Sequence, residues 1–161
     1  SILDKNDYCL KLNLLIETLL WTMEQSTSKI EIKIILSGKG ESKAKIFKHL
    51  APITVKAITN KMPIIGRVNR LNNNTVCILA QIFVGTEKGR TKFTQGDIAL
   101  LPLNGSICIF LKDSKSIRPM NLIGKIVSDL EILESSGRGD TITIKIMDKG
   151  DKNTTEDTRK G

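Results

Sequence analysis

Aromatic side chains are scarce in this chain. Tyr8, Trp21, Phe47, Phe83, Phe93 and Phe110 are the only six among 161 residues, so a core must be assembled from Ile, Leu and Val, and no platform for stacking single-stranded bases is apparent. Histidine is rarer still: His49 stands alone, and one imidazole without a neighbouring ligand does not specify a metal site. Cys9, Cys77 and Cys108 are odd in number, widely spaced and without a CxxC pair, which argues against a disulfide framework and a zinc site and fits a reducing cytoplasm. No apolar run reaches the roughly 18 residues of a spanning helix, and the basic start and small-residue cleavage site of a signal peptide are missing. Ser37–Ser42 contains a Gly-Lys pair but not the glycine spacing of a phosphate loop.

What the chain does have is unevenly placed charge. The net +8 resolves into −2 over residues 1–28, zero over 148–161, and +10 over 29–147, where nineteen basic side chains face nine acidic ones. Such a field attracts polyanions. The lysines are spread over many segments, however, as solvated strand faces require, so a nucleic-acid partner is an alternative rather than the preferred reading. The best focus for it is the basic loop with Lys88, Arg90 and Lys92.

Hydrophobic periodicity divides the chain into three parts. Over residues 1–28, Leu12, Leu15, Ile16, Leu19, Leu20 and Met23 recur at helical spacing, predicting an amphipathic helix that docks on the rest of the chain or pairs two copies into a homodimer. Met23 could also be a native start, leaving residues 1–22 as an extension. Residues 29–147 change to period two, beginning with Ile30, Ile32, Ile34 and Leu36, and predict about eight strands with two short helices. The first helix starts at Pro52 and the second spans residues 129–136. Strands are expected at 64–71 and 75–84 around Asn72–Asn74, and at 97–103 and 106–112 around Asn104-Gly105. Residues 85–96 read as a mobile loop. Residues 148–161, polar and without apolar periodicity, are expected to be a disordered tail. The class is all-β, and the absence of a βαβ repeat favours a sandwich or barrel.

Three segments choose between these. Ala51-Pro52-Ile53-Thr54, Asn104-Gly105-Ser106 and the stretch Met120–Leu133, an apolar strand entering a short amphipathic segment, occur in that order. Together they resemble the cyclophilin-like proteins of archaea and bacteria whose function is unassigned. The resemblance implies a closed antiparallel barrel over 29–147 and a groove for a short peptide or small molecule. It implies no cofactor, metal or membrane partner. Arg67, in Ile65-Gly66-Arg67-Val68, matches the catalytic arginine of prolyl isomerases, with Arg70 as a rival; if the chain is an enzyme, it is a peptidyl-prolyl cis-trans isomerase. Gln81 stands for the glutamine beside the bound proline, and Asn104, Ile109 and Phe110 come from the stretch resembling Asn-Gly-Ser-Gln-Phe-Phe. Phe110 faces either groove or core, depending on a one-residue shift. Aliphatics and a thiol replace the aromatic pocket, so isomerase activity is expected to be weak or absent. Cys77 and Cys108 read as inert core thiols, and Glu131 and Glu134 as a solvated helix face.

Overall fold

A computed structural model describes residues 11–17, 19 and 29–147. Residues 11–17 and 19 are helical, and the stripe expected there stays exposed, from 47% at Ile16 to 62% at Leu19. Met23 and the expected tail at 148–161 lie outside the described residues.

From Lys29 onward the alternation of β-branched and charged residues is realised as strands. The order is β1 (Lys29–Leu36), β2 (Gly40–Phe47), a 3-10 turn (Lys48–Leu50), α1 (Pro52–Lys61), β3 (Ile64–Asn72), β4 (Thr75–Leu79) and β5 (Arg90–Phe93). There follow β6 (Asp97–Leu101), β7 (Ser106–Phe110), β8 (Ser114–Ser128), α2 (Leu130–Glu134) and β9 (Thr141–Ile146). Neighbours run β2-β1-β9-β3-β4-β7-β6-β8, and a further β8–β2 pairing, from Lys43 opposite Ser128 to Ile46 opposite Gly124, closes the ring. The result is an eight-stranded antiparallel barrel, with β5 attached to the free half of β8.

Period two sorts side chains between the two faces. Inward-facing residues such as Ile32, Ile34, Ile78, Ile107, Ile109 and Ile144 fill an aliphatic interior, to which α1 adds Val55 and Ile58 and α2 adds Leu133. The other face of β4, β6 and β7 carries a second apolar cluster: Cys77, Ala99, Leu101, Cys108 and Phe110, joined by Phe93 and Met120. Burying that outer cluster explains two departures from the sequence reading. Residues 90–93 were expected in a mobile loop, but they form β5 because Phe93 stacks on Phe110 with centroids 4.3 Å apart. Strand β8 begins at Ser114, ahead of the apolar stretch from Met120 that the sequence marks, because its first half supplies the edge on which β5 pairs.

The connection from β4 to β5 also differs from expectation. Strand β4 ends at Leu79 instead of continuing to residue 84, since Gln81 adopts φ 55°, which breaks the extended path. The following segment is held against α1. Glu87 accepts hydrogen bonds from Ile53 N (3.1 Å), Thr54 N (2.9 Å) and Thr54 Oγ1 (2.8 Å), supplying from a distant loop the acceptors that Ala51, as N-cap, cannot offer. Fully buried Asn121 accepts from Glu87 N and donates to Thr54 Oγ1 and Gly85 O. Burial raises the Glu87 carboxyl, but the Thr54 and Ile53 donors and neighbouring Lys88 outweigh it and hold the group below its usual range.

Candidate functional site

Antiparallel register places one row of outward side chains across four strands. Cys77 of β4 lies opposite both Asn69 of β3 and Cys108 of β7, while Leu79 lies opposite Ser106, which in turn faces Leu101 of β6. Their shared face forms the floor of an open groove of about 800 Å³. Leu101, Ser106 and Cys77 are nearly buried beneath it, whereas Leu71 and Leu79 stand 58% and 55% exposed as apolar walls.

Each rim is fixed by a different turn. On one side, Gly105 at φ 71° lies so close to Ile82 that a Cβ would stand 2.6 Å from its nitrogen. The Gly105 carbonyl accepts from Ala80 N and Ile82 N, and the Asn104 side chain accepts from Ser106 N at 3.1 Å. Asn104 is thereby held at the groove edge. On the other side, Val68 N donates to Asp140 O and Gly139 N donates to Val68 O, bringing the Gly137–Asp140 loop alongside β3 with Arg138 at the rim.

Among the described residues, three guanidinium groups line this groove and no Asp or Glu does. Their roles differ. Arg70 is committed to backbone, donating from Nη1 to Asn73 O (3.0 Å) and from Nη2 to Glu134 O (2.7 Å) and Ser136 O (2.8 Å), so it anchors the segment that leads into Arg138. Arg67 and Arg138 are exposed, and their guanidinium groups have no hydrogen-bond or ion-pair partner among the described residues. Asp140, the nearest acid in sequence to Arg138, is engaged by Gly137 N and by Lys39 at 2.9 Å, and these contacts hold its carboxyl below the usual range.

Of the residues singled out from sequence, Arg67 and Asn104 come together in the groove. Ile109 points into the barrel interior. Period two then puts Phe110 on the outer face, where it is 1% exposed and covered by Phe93; it packs in the same cluster as the floor residues Cys77 and Leu101. Gln81 is exposed, outside the groove lining, at the left-handed break after β4. Sequence reasoning did not single out Arg138, whose only signal was a basic residue between two glycines, nor Cys77 as a floor residue. Cys77 and Cys108 are unbridged, directly paired across strands, with Sγ atoms 2.9 Å apart. The Cys108 contact chiefly lowers the Cys77 thiol against the opposing effect of burial, while the same contact and burial push Cys108 up. Among the described residues no group of His, Cys, Asp and Glu is arranged to hold a metal ion.

The Cyclophilin-like family model matches residues 29–145. This chain belongs to the cyclophilin-like family. A hypothetical protein of Archaeoglobus fulgidus is similar in structure at a TM-score of 0.65 and 23% identity, over 74% of this chain and 96% of that one. McbB, solved in complex with tryptophan, is similar at a TM-score of 0.59 and 15% identity, over 71% of this chain and 44% of that one. A cyclophilin-type peptidyl-prolyl cis-trans isomerase of Cryptosporidium parvum gives a TM-score of 0.51 at 13% identity, over 74% and 98%. Likeness at these identities establishes the cyclophilin-like barrel and leaves the chemistry to the groove itself. No curated protein matches the sequence. Among the described residues no helix is long and apolar enough to cross a membrane.

Proposed function

We propose that the outer-face groove binds a short peptide or small molecule and that prolyl isomerase turnover there is weak or absent. The observation that carries this reading is the combination of Arg67, without a side-chain partner among the described residues, with a floor of Leu101, Ser106 and Cys77 walled by Leu79. Arg67 corresponds by resemblance to the arginine that isomerases direct at the peptide. The aromatic proline pocket has no equivalent among the described residues: none that lines the groove is aromatic, and Phe93 and Phe110 stack on each other.

Magnitudes favour binding over catalysis. Bringing prolyl exchange from tens of seconds to milliseconds takes about 10⁴-fold, or about 5–6 kcal/mol of preference for the twisted amide. An aromatic pocket contributes to holding the proline ring in that geometry, whereas aliphatic walls more than half exposed offer loose apolar contact. A cytoplasmic setting belongs to the same proposal, because paired free thiols persist in a reducing compartment.

Exchange spectroscopy on a proline-containing peptide tests both halves. Resonances of Arg67, Cys77, Leu101 and Asn104 should shift on titration while cis/trans exchange stays near its uncatalysed rate. Acceleration above about a hundredfold at micromolar protein, abolished by Arg67→Ala, would instead establish an active isomerase.

A further inference from the structure

The groove's charge specifies more than its shape does. Arg67 on β3 and Arg138 on the Gly137–Asp140 loop approach one concavity from two separate elements, with no acidic side chain in the lining and no partner for either guanidinium among the described residues. The surrounding hydrogen bonds preserve this arrangement. Arg70 ties down the segment before Arg138, and the carboxylate nearest Arg138 in sequence, Asp140, is engaged by Lys39 and Gly137 N. Like charges gathered without a counterion repel one another, and an incoming anion relieves that repulsion while accepting forked hydrogen bonds.

Next to these cations stand Leu71 and Leu79, more than half exposed, above nearly buried Leu101. We infer that the ligand is an amphiphilic carboxylate, its anionic group held by Arg67 and Arg138 and an aliphatic body laid on Leu71, Leu79 and Leu101. A peptide C-terminus and a free N-acylated amino acid share this chemistry. Single-stranded nucleic acid fits less well, since among the described residues no aromatic ring lines the groove for a base to stack on. This inference rests on the groove being the binding site and adds the class of ligand.

Titrations of isotopically labelled full-length protein with four probes test it: N-acetyl-Ala-Pro-Leu with a free C-terminus, its C-terminal amide, N-acetyl-leucine, and inorganic phosphate. The two carboxylates should shift groove resonances, and the amide should bind at least about tenfold more weakly, the loss expected for a hydrogen-bonded charge. Arg67→Gln and Arg138→Gln should each weaken the acids by a similar factor and narrow the gap between acid and amide; both side chains are exposed, and dispersed spectra will verify folding. Binding of the acids should also fall with salt. A tighter tripeptide points to peptide termini and equal affinities to free acids, and both support the shared chemistry. Equal groove binding by acid and amide would overturn the carboxylate inference and leave the groove reading intact. Phosphate displacing the acids at equal concentration would also overturn it. Absence of groove shifts with every probe at about 10 mM, a concentration at which millimolar complexes are visible, would remove both readings.

Discussion

Replacing Gly124 by alanine attacks the pairing that turns the sheet into a barrel. A Cβ on this residue would stand 2.9 Å from Ile46 Cα and 3.0 Å from Lys45 C, against backbone of β2 that cannot swing aside as a side chain could. Ile46 and Gly124 are direct partners at one end of the β2–β8 ladder. Relief therefore requires β2 and β8 to separate locally, combining an overpacking cost of about 1–3 kcal/mol with loss of one or two hydrogen bonds at about 0.5–1.5 kcal/mol each. A total of about 3 kcal/mol is a large share of the roughly 5–15 kcal/mol typical of a domain. It should lower the melting temperature by about 6–12 °C. Gly85→Ala is the matched control, because nothing lies within 4 Å of its added Cβ, and it should change stability by less than about 1 kcal/mol. Urea unfolding of both variants decides the matter: equal stabilities within about 1 kcal/mol would refute the claim that this close approach governs closure.

Three further outcomes follow from other contacts. Glu87→Ala should cost about 0.5–2 kcal/mol by uncapping α1. Because the folded Glu87 carboxyl is depressed, its contribution is present above the ordinary carboxylate range and is lost as pH falls through the folded value; Glu87→Gln should flatten that part of the stability profile, measured by urea unfolding between about pH 3 and 7. Phe110→Ala should cost about 3–5 kcal/mol and speed amide exchange in Arg90–Phe93 relative to the barrel interior, since β5 loses the ring on which Phe93 stacks; unaltered exchange there would contradict this account of β5. Cys77 should react with a small alkylating reagent in preference to Cys108, and Cys108→Ala should shift its rate profile to higher pH by removing the contact that favours the thiolate. Mass mapping of the modified peptides reads both effects.

Element type followed from sequence wherever one strong period ran unbroken. Ile30 to Leu36 alternate along β1, Pro52 marks the start of α1, and Thr141 to Ile146 alternate along β9. The family resemblance then chose the closed barrel, a choice that alternation alone leaves open, because β2–β8 pairing joins residues far apart in the chain. Legibility failed where tertiary contact overrides local pattern. The polar sequence Arg90-Thr91-Lys92 reads as loop, yet one buried ring at Phe93 recruits it into a strand. Similarly, Gln81 ends a run that otherwise favours extension, where the Gly105 carbonyl and Lys61 engage the backbone of residues 80–82.

The groove was half legible for the same reason. The sequence prefers Arg67 to Arg70 from its neighbours, but does not show that Arg70 commits its guanidinium to three carbonyls. Ile109 and Phe110 were both candidates because a one-residue shift exchanges the faces, and the Cys77–Cys108 register puts Ile109 inside and Phe110 outside. Arg138 is brought to the groove by hydrogen bonds between the Gly137–Asp140 loop and Val68, about seventy residues earlier in the chain, and by the bonds of Arg70 to the segment before it.

The most direct test of the central claim is exchange spectroscopy on an N-acetylated Ala-Pro peptide with and without micromolar protein, read alongside the protein's own amide resonances. The account predicts shifts confined to residues around Arg67, Leu79, Leu101, Asn104 and Arg138, with peptide cis/trans exchange remaining on the scale of tens of seconds. Exchange accelerated more than about a hundredfold, or peptide-induced shifts that avoid this groove, would contradict it.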